Sequence, residues 1–228
     1  MIAALRLLLL PAYLVLAHLA GSRHSPPLAA LALGDLTLLL LLGPLSRCKL
    51  WAWAALIAAV GALWPLAHST YALLPLLLVP VLFVAVIAFW FARSLRRGRI
   101  PLVTRMVAAI YATPVDALSP LHRDYARRLT LAWALLLATL AVADFVLALI
   151  VEPDGLLAAF GAASTFRITH AQWSFITNVA NYGLIGAFML IEFQLRKRVF
   201  TQRPYRNFAE FIRRMVALGP SFWRELLH

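Results

Sequence analysis

Long apolar runs that contain almost no charge follow one another along this chain. They cover approximately residues 2–20, 27–45, 50–67, 71–92, 129–151 and 173–195. At a rise of 1.5 Å per residue, a helix of this length crosses a hydrocarbon layer about 30 Å thick. Soluble domains are roughly 45–50% apolar and about 25% charged, whereas this chain is 63% hydrophobic and 13% charged. The sequence therefore predicts an all-α fold, a polytopic transmembrane helical bundle of six spans.

The predicted bundle fills residues 1–195, and residues 196–228 form a basic amphipathic tail. A cleaved signal peptide is the alternative interpretation of the first run. The apolar part of that run is longer than signal peptides normally have, and Ala20-Gly21-Ser22 makes a poor cleavage site. We therefore expect the first run to be an uncleaved span.

The basic residues indicate how the spans are oriented. With the N-terminus in the cytoplasm, all but two of the 21 Lys and Arg residues lie in cytoplasmic segments, and the exceptions are Arg23 and Arg167. The positive-inside rule thus predicts that both ends are cytoplasmic. A net charge of +12 would also suit a nucleic-acid-binding protein. We expect no nucleic acid partner, because the basic residues lie in short stretches at the ends of apolar runs.

Two cytoplasmic stretches carry apolar residues at helical spacing. One follows Pro101 in the loop 93–128, and the other runs from Phe208 to Leu218, where Asn207 and Glu210 have the spacing of a capping box. Both are predicted to be helices on the inner membrane surface, with arginines facing anionic lipid head groups. These arginines are Arg96, Arg97, Arg99, Arg105, Arg206, Arg213 and Arg214. Packing on the protein's own cytoplasmic ends is the alternative, and the two are compatible.

Polar residues inside the apolar runs are the best candidates for a functional site. They are Asp35, Asp144, Asn178, Asn181 and Tyr182. Counted from the run ends, the Asp and Asn residues lie roughly 7–12 Å below the outer boundary, so three spans place polar groups in one layer. One interpretation is a proton relay, an ion site or a small pocket. The other is hydrogen bonding between helices, at about 0.6 kcal/mol per bond. Glu192, near the inner end of the sixth run, has the spacing to pair with Arg196.

Motifs of soluble and membrane enzymes are not evident. His122-Arg123-Asp124 spells the kinase catalytic triplet, but no glycine-rich phosphate loop precedes it. Serine hydrolase, zinc protease and Walker motifs are missing, and no histidine has an acidic residue five positions on. Cys48 is the single cysteine, and Glu152, Asp154 and His170 lack metal-ligand spacing. We therefore expect no cofactor and no metal.

Two stretches resemble a known family. The first is Arg99-Ile-Pro-Leu-Val-Thr-Arg105-Met, followed by Arg128-Leu-Thr-Leu-Ala-Trp133-Ala-Leu, with Asp144 eleven residues after the Trp. The second is Gln172-Trp173-Ser-Phe-Ile-Thr-Asn178-Val-Ala-Asn181-Tyr-Gly183. The pattern resembles the intracellular septation protein A family of small inner-membrane-spanning proteins. It is closer still to a sister group, the predicted membrane proteins encoded in aryl polyene (xanthomonadin-type) pigment gene clusters. The resemblance covers about residues 85–200.

The resemblance implies a non-enzymatic, multi-pass protein of the bacterial inner membrane that assists pigment biosynthesis or export, or cell-envelope assembly. Its partners would be membrane proteins or acyl-carrier proteins of that pathway. The family often has Asn where this chain has Asp144, so a structural hydrogen bond could become an ionisable site here. A small secondary transporter or lipid flippase that uses the layer of Asp35 and Asp144 is the alternative. A membrane enzyme that acts on an acyl chain is a third hypothesis.

Overall fold

The computed structural model describes residues 2–69, 71–153, 155–162, 165–200, 204–219 and 222. Helices make up 79% of the chain, which confirms the predicted all-α class. The chain divides into two compact units. Unit 1 comprises Met1–Pro80 and Phe145–Ser174, and unit 2 comprises Val81–Asp144 and Phe175–His228.

The helices follow one another with short connections. They are α1 (Ile2–Arg23), α2 (Pro26–Leu45), α3 (Leu50–Leu66), α4 (Leu74–Ser94), α5 (Leu102–Ile110), α6 (Pro120–Ile150), α7 (Leu156–Ala159), α8 (His170–Phe175), α9 (Asn181–Val199) and α10 (Phe208–Ala217). A 3-10 turn covers Val115–Ala117, and a π-helix, Ile176–Ala180, joins α8 to α9. The strands β1 (Val151–Glu152) and β2 (Ile168–Thr169) pair in parallel.

Within the described residues, four helices are long and apolar enough to cross a membrane. They are α1 from Ala4 to Arg23, α2, α4 and α6. The helix α3 is apolar but has 17 residues, about 25 Å. The sixth predicted span is divided among α8, the π-helix and α9. Large apolar side chains stay exposed along the helices, such as Leu7 at 75% and Trp64 at 74%. These features suggest a membrane protein, while six spans and their orientation remain predictions.

Small residues let the helices of unit 1 approach closely. Ala20 of α1 and Ala29 and Ala32 of α2 are fully buried where the two helices pack, since small side chains allow close contact between backbones. A second cluster joins Leu77 of α4, Ala148 of α6 and Trp173 of α8. Prolines inside α1 and α4 are compatible with transmembrane helices, in which neighbouring groups can satisfy the freed backbone.

In unit 2, α5 packs against α6 and confirms the predicted helix after Pro101. Its first amides lack partners within the helix, as in any α-helix. The buried Thr130 hydroxyl of α6 accepts a hydrogen bond from the Val103 N–H, at 3.3 Å. The Ser94 hydroxyl, at the end of α4, accepts one from the Leu102 N–H, at 3.1 Å. Hydroxyls from two other helices therefore cap α5.

The helix α10 confirms the predicted tail helix and its cap. The Asn207 side chain accepts a hydrogen bond from the Glu210 N–H at 2.8 Å, and the Glu210 carboxylate accepts one from the Arg206 N–H at 2.7 Å. The hydrogen bond from the Arg206 backbone, with the nearby Arg214, lowers the pKa of Glu210. The buried Phe211 packs with Ile110 of α5, Phe193 of α9 and Tyr205. The apolar face of α10 thus packs on the protein itself. The sequence left this packing open as the alternative to contact with the membrane surface.

Candidate functional site

Two of the predicted intramembrane polar residues meet inside unit 2. The Asn181 side-chain nitrogen donates hydrogen bonds to both carboxyl oxygens of Asp144, at 2.8 Å to Oδ1 and 2.7 Å to Oδ2. Asp144 is 0% exposed and Asn181 is 5% exposed. A single amide group therefore bridges both oxygens of a fully buried carboxyl group and ties α6 to α9.

The local backbone before Asn181 is unusual. The π-helix Ile176–Ala180 ends immediately before it, and Asn181 is the first residue of α9. π-Helices are well under 1% of residues in proteins, and they often occur at functional sites. The extra residue in a π-helical turn rotates the side chains before it relative to the side chains after it. The turn therefore helps to set which face of α9 carries the amide. Nothing in the residue types of this stretch predicts it.

The other predicted members of the polar layer have different surroundings. Asp35 lies in unit 1, where its Oδ2 is buried and has no hydrogen-bond partner among the described residues. Tyr182 is 63% exposed, although Asn181 beside it is buried. The side chain of Asn178 lies outside the described part of the structure. Contact is thus established for one pair, Asp144 and Asn181.

A second polar cluster surrounds Arg196 at the end of α9, and we call it the Arg196 cluster: Tyr125, Glu192, Arg196 and Tyr205. The Arg196 Nε donates to Glu192 Oε1 at 2.7 Å, which bears out the predicted pair. The same guanidinium donates to the Tyr205 hydroxyl at 3.0 Å. It also lies 4.7 Å from the ring centre of Phe211 in α10. Tyr125 belongs to α6, and its hydroxyl donates a hydrogen bond to Glu192 Oε1 at 3.0 Å.

The positive charge of Arg196 is compensated by the carboxylate of Glu192 within the Arg196 cluster. Burial alone lowers the pKa of Arg196, but the hydrogen bonds and charge of Glu192 outweigh it, so the pKa is raised above its ordinary value. The guanidinium therefore stays charged, and the cluster fastens α6, α9 and α10 together. The sequence does not predict the two tyrosines, since Tyr125 is 67 residues from Glu192 and no local spacing relates them.

A small cleft beside the Arg196 cluster is lined by aromatic and apolar side chains, including Tyr111, His122 and Phe200. Its volume of about 20 Å³ holds one or two water molecules, which is too small for an acyl chain or an aryl ring. The His122 ring stacks on Phe200, with the ring centres 4.2 Å apart. His122, the first residue of the kinase-like triplet, thus packs against Phe200.

Several residues of the two stretches that resemble the family contact one another within unit 2, whereas Trp173 of the second stretch packs in unit 1. The first stretch supplies Val103 and Thr130, which share a hydrogen bond, and Trp133, whose ring centre lies 4.7 Å from that of Phe188. Asp144 follows the first stretch and Asn181 belongs to the second, and these two form the buried pair. The resembling stretches therefore contribute much of the packing among α5, α6 and α9.

No group of three or more His, Cys, Asp or Glu side chains that could hold a metal ion occurs among the residues the structure describes. In comparisons with known proteins, no family model, no curated protein and no solved structure matches the chain.

Proposed function

We propose that this chain is a multi-pass protein of a bacterial inner membrane, with six spans and both ends in the cytoplasm. In this proposal it is not an enzyme. It assists the biosynthesis or export of an aryl polyene pigment, or assembly of the cell envelope, together with membrane or acyl-carrier proteins of the same pathway. The distribution of Lys and Arg supports the orientation, and the four long apolar helices support membrane insertion.

The observation that carries this proposal is that residues of the two resembling stretches form hydrogen bonds between helices of unit 2. The Val103–Thr130 hydrogen bond and the Asp144–Asn181 pair both hold helices of unit 2 together. Residues in a shared pattern that also pack on one another support a shared fold. The role in pigment or envelope assembly follows from that fold by analogy alone.

Deletion of the gene in its native bacterium tests the role. We expect loss of polyene absorbance from extracted membranes, or increased sensitivity of the envelope to detergent, and restoration of either by the wild-type gene. A deletion strain that keeps both pigment and envelope resistance would contradict the proposal. Comparing the soluble precursor pool with the membrane-bound product separates a defect in synthesis from a defect in export.

The second candidate function is a small secondary transporter or lipid flippase, and the buried Asp144–Asn181 pair favours it. Ionisable residues within spans are costly, and they often mark ion or substrate pathways. In this case Asp144→Asn removes the ionisable group and keeps a hydrogen-bonding side chain of the same size. Loss of complementation at an unchanged protein level would support transport, whereas full complementation would favour a structural role.

A further inference from the structure

The structure sorts the seven arginines that the sequence predicts to face the membrane. Arg105 is half-buried, and Arg214 pairs with Glu210 at 3.2 Å. Arg206 precedes α10 and Arg213 lies within it, and the apolar face of this helix is already packed on the protein. The remaining three are Arg96, Arg97 and Arg99, and all are exposed. They lie on the turn between α4 and α5, residues 95–100, which we call the arginine turn.

The arginine turn has a fixed backbone. The Arg99 N–H donates to the Arg96 carbonyl at 3.2 Å, and Gly98 has a φ of +79°, the value that the third residue of a type II turn requires. The Ser94 hydroxyl donates to the Phe91 carbonyl at 2.8 Å and accepts from the Leu102 N–H. Since both ends of the turn are held, binding through its side chains does not have to order the backbone.

The position of the turn points to its partner. It begins one residue after α4, which is a candidate membrane span. The last turn of α4 carries Trp90 and Phe91, and aromatic rings are enriched where a span meets the lipid head groups. Arginines immediately beyond such rings are expected at the level of the lipid phosphates. The distance between a guanidinium group and a phosphate is then well within the Debye length of about 8 Å at physiological salt, so salt screens their attraction little.

The charges around the turn fit an anionic surface. Residues 93–128 contain eight arginines and two acidic residues, Asp116 and Asp124. Within the described part of the chain, none of the three arginines of the turn forms an ion pair. The guanidinium group presents a planar fork of N–H donors that matches the oxygens of a phosphate.

We propose that the arginine turn binds the head groups of anionic phospholipids. The proposal rests on the membrane insertion of α4, which the proposed function includes, and is independent of the pigment role and of the orientation of the spans.

Binding of fluorescent phosphatidylglycerol to the full chain in neutral detergent tests this proposal, with fluorescent phosphatidylcholine as the uncharged probe. Detergent exposes both ends of every span, so the result does not depend on topology. An arginine near an anionic surface contributes roughly a fivefold change in affinity. We therefore expect the combined Arg96→Gln, Arg97→Gln and Arg99→Gln variant to bind phosphatidylglycerol on the order of a hundredfold more weakly.

The charge-matched control changes Arg23, Arg47 and Arg167 to Gln, and it should bind phosphatidylglycerol like the wild type. Lysine at the three positions of the turn keeps the charge but not the planar fork, so this variant should bind phosphatidylglycerol more weakly than the wild type and more tightly than the glutamine variant. Equal binding of the two lipids, or equal losses in the glutamine variant and its control, would overturn the proposal. The proposal would also be overturned if the turn bound polyglutamate more tightly than phosphatidylglycerol. That result would indicate an acidic protein as the partner of the turn. Reporter fusions beside α4 test its insertion separately.

Discussion

The buried pair of Asp144 and Asn181 leads to the sharpest prediction, the effect of Asp144→Leu on stability. The substitution removes both acceptors of the Asn181 amide, whose nitrogen lies 2.8 and 2.7 Å from the carboxyl oxygens. A buried donor left without its acceptor costs about 1–3 kcal/mol. Leu also replaces the two carboxyl oxygens by bulkier methyl groups at a site with no exposed surface. We therefore expect Asp144→Leu to lower the free energy of unfolding by about 1–3 kcal/mol.

Asp144→Asn should have a much smaller effect, because the amide keeps one acceptor oxygen. Loss of one hydrogen bond between transmembrane helices corresponds to about 0.6 kcal/mol. Unfolding in mixed micelles titrated with SDS and followed by far-UV circular dichroism would measure both variants. The matched control is Asp35→Leu, at a carboxyl group whose buried Oδ2 has no partner among the described residues.

A double-mutant cycle isolates the pair itself. Replacing both partners of a hydrogen bond by apolar groups can be nearly neutral, whereas replacing one leaves the other unsatisfied. The Asp144→Leu and Asn181→Leu double variant should therefore be about 1 kcal/mol or more stable than the sum of the single losses implies. Strictly additive losses, or equal losses for Asp144→Asn and Asp144→Leu, would refute the coupling that we infer from the geometry.

Three further predictions concern topology and the tail helix. Cytoplasmic reporters fused after Lys49 and Arg105 should be active, as should a periplasmic reporter after Ser69, and a periplasmic signal from Arg105 would contradict six spans. Phe211→Glu should destabilise unit 2 by about 3 kcal/mol or more, since it places a charge among Ile110, Phe193 and Tyr205; proteolysis of the tail reports this, and exposed Val216→Glu is the control. The lowered pKa of Glu210 means that its stabilisation of α10 is present above the ordinary Glu range and is lost as pH falls through the folded-state pKa. Glu210→Gln should abolish that dependence in a hydrogen-exchange measurement of α10, and an unchanged profile would show that another group is responsible.

Most of the helices, and the contacts between residues close together in the sequence, could be predicted from the sequence alone. The second apolar run predicts 27–45, and the helix covers Pro26–Leu45; Asn207 and Glu210 predict the cap of α10, and the structure has that cap. These features are local, because a backbone in lipid must satisfy its own hydrogen bonds and a cap involves neighbouring residues. The pair of Glu192 and Arg196 is local for the same reason, since four residues make one turn of a helix.

Which polar groups meet could not be predicted, because it depends on the tertiary structure. Depth counting placed Asp35, Asp144 and Asn181 in one layer, but depth says nothing about the direction in which a side chain points around its helix. The π-helix before Asn181 contributes to that direction for α9. Tyr125 reaches Glu192 across 67 residues, and the apolar stripe of α10 suits a membrane as well as a protein surface. Such contacts depend on how separate helices pack, which hydrophobic periodicity alone does not specify.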